Sequence, residues 1–193
     1  MVETEETVFD GDYADMRRRV YAIKEKYPSA VCTVGARSWG GRALFTLGLG
    51  QTKDATLYMG CVNACDGETT FALLRLYENM CRAVDSGGKL CGIRLNEIFK
   101  SRGVIIVPCV NPDGMEMRRC GAVAAGCYAG LAQRLSPDGF EDWCANAAGV
   151  DLGRNASDDW RRLKETERSV GYTSPGARFY GGKARFSEPE SRA

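Results

Sequence analysis

Over 193 residues, 26 Lys and Arg nearly cancel 25 Asp and Glu, so no electrostatic footprint points to nucleic acid or to an acidic membrane surface. There is no histidine, which excludes Ser-His and Cys-His nucleophilic pairs and any imidazole metal ligand from within the chain. Nine cysteines without a CxxC pair, an acidic N-terminus and the lack of an apolar run near 18 residues predict a soluble cytoplasmic protein with reduced thiols.

The length suffices for one domain with a buried core. Residues 11–26 place Tyr13, Met16, Val20 and Ile23 at helical spacing, and "YPSA" ends that helix. The cluster "MRRRV" (16–20) falls on its solvated face. "AVCTVGARS" and "RALFTLGLG", separated by "WGG", read as a β-hairpin. "ATLYMGCVN" (55–63) reads as a buried strand. From Glu68 onward, Phe71, Leu74, Tyr77, Cys81 and Val84 mark one face of a helix that stops before "SGG".

"IRLNEIFKSRG" suggests a second short helix, "VIIVPCVN" (104–111) a central strand, and "NPDG" (111–114) a turn. Residues 115–150 are rich in Gly and Ala and poorly periodic, which marks an irregular or functional stretch. "DWRRLKETERSV" (159–170) is helical again. In "SEPESRA" (187–193), Ser187 and Glu190 have capping-box spacing at the start of a helix. Strands alternating with helices predict an α/β fold with a mixed sheet.

Four blocks in this order, the strand 55–63, "NPDG", "GVDLGRN" (149–155) and "FSEPESRA" (186–193), resemble the M14 family of zinc carboxypeptidases, closest in flavour to the bacterial γ-D-glutamyl-diamino-acid peptidases. The resemblance spans nearly the whole chain. It implies a mixed β-sheet flanked by helices, an α/β/α sandwich, here a single domain over 1–193 that stops before the closing elements. It also implies zinc-dependent hydrolysis of a peptide bond near a free carboxylate.

In the family, His-x-x-Glu after this strand supplies two zinc ligands; the matching positions here are Asn63 and Asp66. An aspartate can coordinate with a shorter reach, but an amide oxygen suits hard cations better than zinc. The resemblance therefore implies a zinc cofactor that this chain holds weakly or not at all. Asp66 also fits an N-cap and Asn63 a turn. Cys61 and Cys65 read as buried thiols.

The family's Asn-Arg pair, which holds the substrate carboxylate, matches Gly153 and Arg154, with Asn155 following. Arg154 keeps the charge that can grip a carboxylate in a fork, although a surface ion pair accounts for it as well. Cys144 stands where a basic or amide residue usually follows the Trp. The third zinc ligand and the catalytic Glu of the family lie beyond the segment resembling "FSEPESRA", so no residue here is assigned as general base.

Four readings stay open at this stage. One is an M14-like domain without peptidase activity. A second is a metallopeptidase that recruits metal through Asp66 and cysteines, or is completed by another chain. A third is a module that binds a peptide or other ligand with a free carboxylate. The last is a fragment of a split or broken peptidase gene.

Overall fold

A computed structural model describes residues 11–193. Its centre is a four-stranded mixed sheet of β1 (Val31–Arg37), β2 (Ala43–Gly50), β3 (Ala55–Met59) and β4 (Gly103–Val107), in the order β1-β2-β4-β3. β1 and β2 form the predicted antiparallel hairpin, β2 runs antiparallel to β4, and β3 lies parallel to β4 with Ala55 opposite Gly103 and Met59 opposite Val107. The α/β expectation with a mixed sheet holds.

Helices α1 (Tyr13–Lys26) and α2 (Glu68–Asp85) cover one face of the sheet. Asp12 caps α1 by accepting from the Asp15 amide, and Met16, Val20 and Ile23 turn inward. From α2, Phe71, Leu74, Tyr77 and Cys81 meet Phe45, Leu47, Leu49, Val104 and Ile106. Each such side chain contributes about 1.5–3 kcal/mol by leaving water. The buried Tyr77 hydroxyl lies 2.9 Å from the Gly48 carbonyl and accepts from the Val31 amide, which ties the helix to both hairpin strands.

The other face of the sheet is different. Here Leu44, Leu57, Met59, Ile105 and Val107, with Leu152 opposite them, line an open apolar groove of about 760 Å³. β3 was expected to be buried, but Leu57 is 53% and Met59 56% exposed. The reason is topological: β3 is an edge strand, and among the described residues no strand pairs with its outer side. A run of apolar residues identifies a strand without telling whether both its faces are covered.

Three further expectations are corrected. "NPDG" is not a free turn but the start of α4 (Pro112–Cys120): Asn111 is the N-cap, accepting from the Gly114 amide, and Pro112 takes the first helical position. The irregular 115–150 stretch holds the rest of α4, a 3₁₀ segment Gly121–Tyr128 broken at Gly126, and α5 (Ala129–Leu135). These pack as a second small core around Trp143 with Met117, Ala125, Ala132, Phe140, Ala145 and Ala147. Small residues build that core by close approach, so no apolar stripe announces it. At the C-terminus, Ser187 does not cap a helix, because its hydroxyl donates to Glu188 and only a short 3₁₀ turn follows, Glu190–Arg192.

The short helix predicted near residue 95 is one turn, α3 (Leu95–Ile98), and α7 (Trp160–Val170) follows the one-turn α6 (Leu152–Asn155). Among the described residues no helix is long and apolar enough to cross a membrane.

Candidate functional site

The carboxyl ends of parallel strands are where open α/β sheets present ligands, because the chain diverges there and backbone groups are left free. β3 and β4 converge at this point. The Gly60 amide donates to the Val107 carbonyl, while the Val110 and Asn111 amides donate to the Gly60 and Cys61 carbonyls. A Cβ on Gly60 would sit 2.5 Å from the Pro108 carbonyl oxygen, so the approach demands glycine. Cys61 follows at φ 45°, an uncommon conformation for a residue with a side chain. Its amide is anchored on the Thr69 hydroxyl at 2.7 Å, and that hydroxyl donates to the Asp66 carbonyl at 2.6 Å.

The next turn, a 3₁₀ element over Ala64–Asp66, carries the two candidate metal positions. Asn63 is half-buried and Asp66 exposed. The Asn63 amide nitrogen donates to Asp66 Oδ2 at 3.3 Å, so the two side chains are engaged with each other. Asp66 does not cap α2: that position belongs to Gly67, without a side-chain cap bond. Among the described residues no group of three or more His, Cys, Asp or Glu is placed to hold a metal ion. Catalytic zinc takes three protein ligands of imidazole, thiolate or carboxylate type. One neutral amide bonded to one carboxylate does not meet that requirement, and no catalytic step is derived through zinc.

α6 brings the second candidate block alongside. Asp151 caps it by accepting from the Arg154 amide. A Cβ on Gly153 would sit 3.5 Å from Asp151 Oδ1 and 3.9 Å from Asn63 Oδ1, so this position lies beside one of the two candidate metal positions. Arg154 Nε is 3.5 Å from Asp151, and Nη1 is 4.0 Å from the buried Glu167. The guanidinium also stacks 5.2 Å from the centre of the Phe179 ring, with its side chain 29% exposed. Lys164 is a second cation on Glu167. Two cations and two carboxylates thus meet at this corner.

Asn155 is fully buried. Its Nδ2 reaches the carbonyls of Gly181 and Ala184 and the Ser187 hydroxyl at 2.9–3.0 Å, and its Oδ1 accepts from Ser191. Its hydrogen bonding is spent within the fold, on the segment 181–191.

Two side-chain groupings were missed in the sequence. Cys65 and Cys144 bring their sulfurs to 3.0 Å, and Cys65 is exposed rather than buried. Cys144 after Trp143 was visible as a departure, but nothing in the order of residues tells that it faces Cys65. The second grouping is a pair of buried carboxylates, Glu188 and Glu190, both accepting from Asn146 Nδ2, at 2.9 and 3.3 Å. Glu188 also accepts from the Trp39 indole at 2.7 Å and Glu190 from the Trp39 amide at 3.3 Å. Burial above all, with the nearby Asp113 charge adding to it, pushes the Glu190 carboxyl up to about 7. Burial likewise lifts the Cys109 thiol well above its ordinary value, with Cys61 beside it, so Cys109 packs as a neutral hydrophobe.

The sequence matches the zinc carboxypeptidase family, peptidase M14, over residues 16–193. It is 27% identical over 186 residues to the uncharacterized Bacillus subtilis protein YqgT, covering 94% of this chain and 48% of that protein. It is 24% identical over 184 residues to gamma-D-glutamyl-L-diamino acid endopeptidase 1 of Lysinibacillus sphaericus, covering 94% and 46%. The chain therefore spans about half the length of these curated relatives.

Among solved structures, carboxypeptidase A from Helicoverpa armigera superposes with a TM-score of 0.63 at 19% identity, over 94% of this chain and 40% of that one. Bovine thrombin-activatable fibrinolysis inhibitor, in complex with tick carboxypeptidase inhibitor, gives 0.63 at 18%, over 94% and 53%. A shared fold in the solved structures and a family match over all but the first 15 residues agree with the order of the four blocks: the chain belongs to the M14 family of zinc carboxypeptidases.

Proposed function

We propose that these 193 residues form an M14 domain that holds a peptide carboxylate without hydrolysing the peptide. The observation that carries this reading is the hydrogen bond that Asn63 donates to Asp66, at the positions matched to the family's zinc motif. Elemental analysis of the reduced, dialysed chain tests it. Zinc near zero, with no cleavage of γ-D-glutamyl-diamino-acid or C-terminal peptide substrates, is the expected result. One zinc per chain that is lost in Asp66→Ala overturns it.

The ligand class follows from Arg154, which keeps part of its fork open while Asp151, Glu167 and Phe179 brace it. Because the corner already balances its charges, the affinity for a free C-terminal carboxylate is weak, in the millimolar range, about 4 kcal/mol. Peptide binding lost in Arg154→Ala, and lost equally when the peptide is amidated, supports this role; binding unchanged in both removes it. Asn155, held within the fold, acts in this reading by fixing the segment 181–191 rather than by touching ligand. The nine free cysteines suit a reducing compartment, and we place the chain in the cytoplasm, with neither nucleic acid nor membrane as partner.

A second reading is favoured by the exposed faces of β3 and the apolar groove beside it. In it, the chain is one part of a peptidase whose other part supplies the remaining elements, including zinc ligands and a catalytic carboxylate. Reading the DNA downstream for coding His and Glu residues, and co-expressing what it encodes, separates the two readings.

A further inference from the structure

Cys65 and Cys144 lie far apart in sequence, on backbones that are locked together. The Ala64 amide donates to the Cys144 carbonyl at 3.0 Å, and the Cys144 and Ala145 amides both donate to the Ala177 carbonyl, at 2.8 and 2.9 Å. The buried Asn111 side chain donates to the Ala145 carbonyl at 3.0 Å, and the fully buried Trp143 anchors its indole on that same oxygen at 2.8 Å. The backbones that carry the two thiols are thus fixed relative to each other, with the sulfurs 3.0 Å apart.

They are also reachable. Cys65 is exposed and Cys144 partly so, unlike the other neighbouring thiols Cys61 and Cys109, which are buried. Cys65 lines an open hollow of about 400 Å³ together with Glu68, Met115, Arg118 and Arg119. Its lining sets two arginines against one glutamate, a net positive rim for a molecule bearing carboxylates.

We propose that Cys65 and Cys144 form a dithiol site which a low-molecular-weight disulfide of the glutathione class converts to an intrachain disulfide. One thiol of the pair loses its proton to solvent and attacks one sulfur of the small disulfide. A bond forms between the two sulfurs, and the other half leaves as a thiolate that takes up a proton. The second protein thiol then releases its proton to solvent and attacks the first protein sulfur, expelling the second small thiol. Two protein thiols are oxidised, one small disulfide is reduced to two thiols, and the balance closes without another reactant.

Either sulfur can open the exchange, because its partner already lies 3.0 Å away and reaches the mixed disulfide without a shift of the backbone. The product would staple the turn that carries Asn63 and Asp66 to the loop 142–149, at the carboxyl ends of the strands.

The test uses the reduced, folded chain and glutathione disulfide itself, followed by alkylation and peptide mapping by mass spectrometry. The expected product is a Cys65–Cys144 crosslinked peptide, with Cys91, Cys120 and Cys127, all exposed, found as free thiols or separate glutathione adducts. In Cys65→Ser the adduct on Cys144 should persist. Phenylarsine oxide, a trivalent arsenical that bridges two thiols, gives a second readout. The wild-type chain should bind one equivalent, and both Cys65→Ser and Cys144→Ser should lose it. Separate adducts on Cys65 and Cys144 in the wild type, or scrambled pairing, overturn the proposal. So does arsenical binding that survives both substitutions.

Discussion

Glu190 offers a quantitative check on how the C-terminal segment is packed. Its carboxyl is buried against Trp39, Asn146 and Asp113, and is pushed up to about 7 from the ordinary 4.5. The sign follows from proton linkage. A carboxyl whose folded value is raised binds its proton more tightly in the folded chain, so its protonation stabilises the fold. That contribution is fully present below pH 4.5 and is lost as pH rises toward 7. At about 1.36 kcal/mol per pH unit, the interval corresponds to roughly 3 kcal/mol. Glu190→Gln supplies a reference that does not titrate. It also exchanges an acceptor for an amide beside Asn146, a cost that does not depend on pH. Denaturant unfolding of both proteins at a series of pH values from 4 to 8 isolates the group, since all other titrations cancel in the difference. The wild-type advantage over Glu190→Gln should fall by about 3 kcal/mol across the series, with most of the fall between pH 5 and 7. A difference that is flat, or that grows with pH, would refute the argument that burial rather than pairing governs this carboxylate.

Three further outcomes follow from the packing. Asp113, fully buried, accepts from Ser38, from the Gly40 amide at 2.6 Å and from Arg42 at 2.7 Å; Asp113→Ala leaves those donors unpaired and should cost about 3–5 kcal/mol in urea unfolding, and a loss under 1 would contradict the burial of the pair. Gly60→Ala should cost about 2–3 kcal/mol, because the added methyl group meets the Pro108 carbonyl oxygen at 2.5 Å, backbone that cannot swing aside; a melting temperature equal to wild type would mean the strand ends are looser than drawn. Leu57→Lys and Met59→Lys should each change stability by no more than about 0.5 kcal/mol, since both side chains are more than half exposed; a drop above 2 kcal/mol would show that the groove is covered in solution.

The legible parts of the fold were those with strong periodicity and local punctuation. α1 and α2 announce themselves through apolar spacing and carry it into the core, with Met16, Val20 and Ile23 facing Leu74 and Tyr77 in one cluster. The hairpin was equally plain. What could not be read depends on partners distant in sequence. Whether β3 is covered depends on which strands flank it. The core around Trp143 is built from alanines that become buried only when α4, the 3₁₀ segment and α5 close over them. "NPDG" contains both turn and helix-start signals; the Asn111 cap on the Gly114 amide decides for the helix. At the site, the sequence brought out the residues but neither their elements nor their contacts: Asp66 fitted a cap that falls on Gly67, and Arg154 and Asn155 lie on a helical turn that was not foreseen. Arg154 left substrate contact and an ion pair open and is found braced by two acids, and Asn155 looked like a ligand contact and is found holding the segment 181–191.

This division shows how the chain can keep its family's architecture whatever stands at the candidate metal positions Asn63 and Asp66. The residues that make the resemblance recognisable fall into two physical groups. Asn111, Asp113, Asn155, Glu188 and Glu190 are buried, each satisfying backbone or side-chain groups of a different element. Losing any of them leaves buried donors or acceptors unpaired, at a cost of about 1–3 kcal/mol each and more for the ion-paired Asp113, against a total stability of only about 5–15 kcal/mol for a typical domain. Asn63, Asp66 and Gly153 carry no such burden. Asn63 and Asp66 face solvent at least in part and bond to each other, and a Cβ at 153 would come no nearer than 3.5 Å to any neighbour, Asp151 first and then Asn63 and Val62. Substitution there changes the chemistry of the strand ends and leaves the fold intact. The Cys65–Cys144 contact sits on the boundary between the groups, with its backbone held by the buried scaffold and its sulfurs open to solvent. New chemistry can be added at such a position without rebuilding the core, since the geometry is already provided and only the side chain has to change.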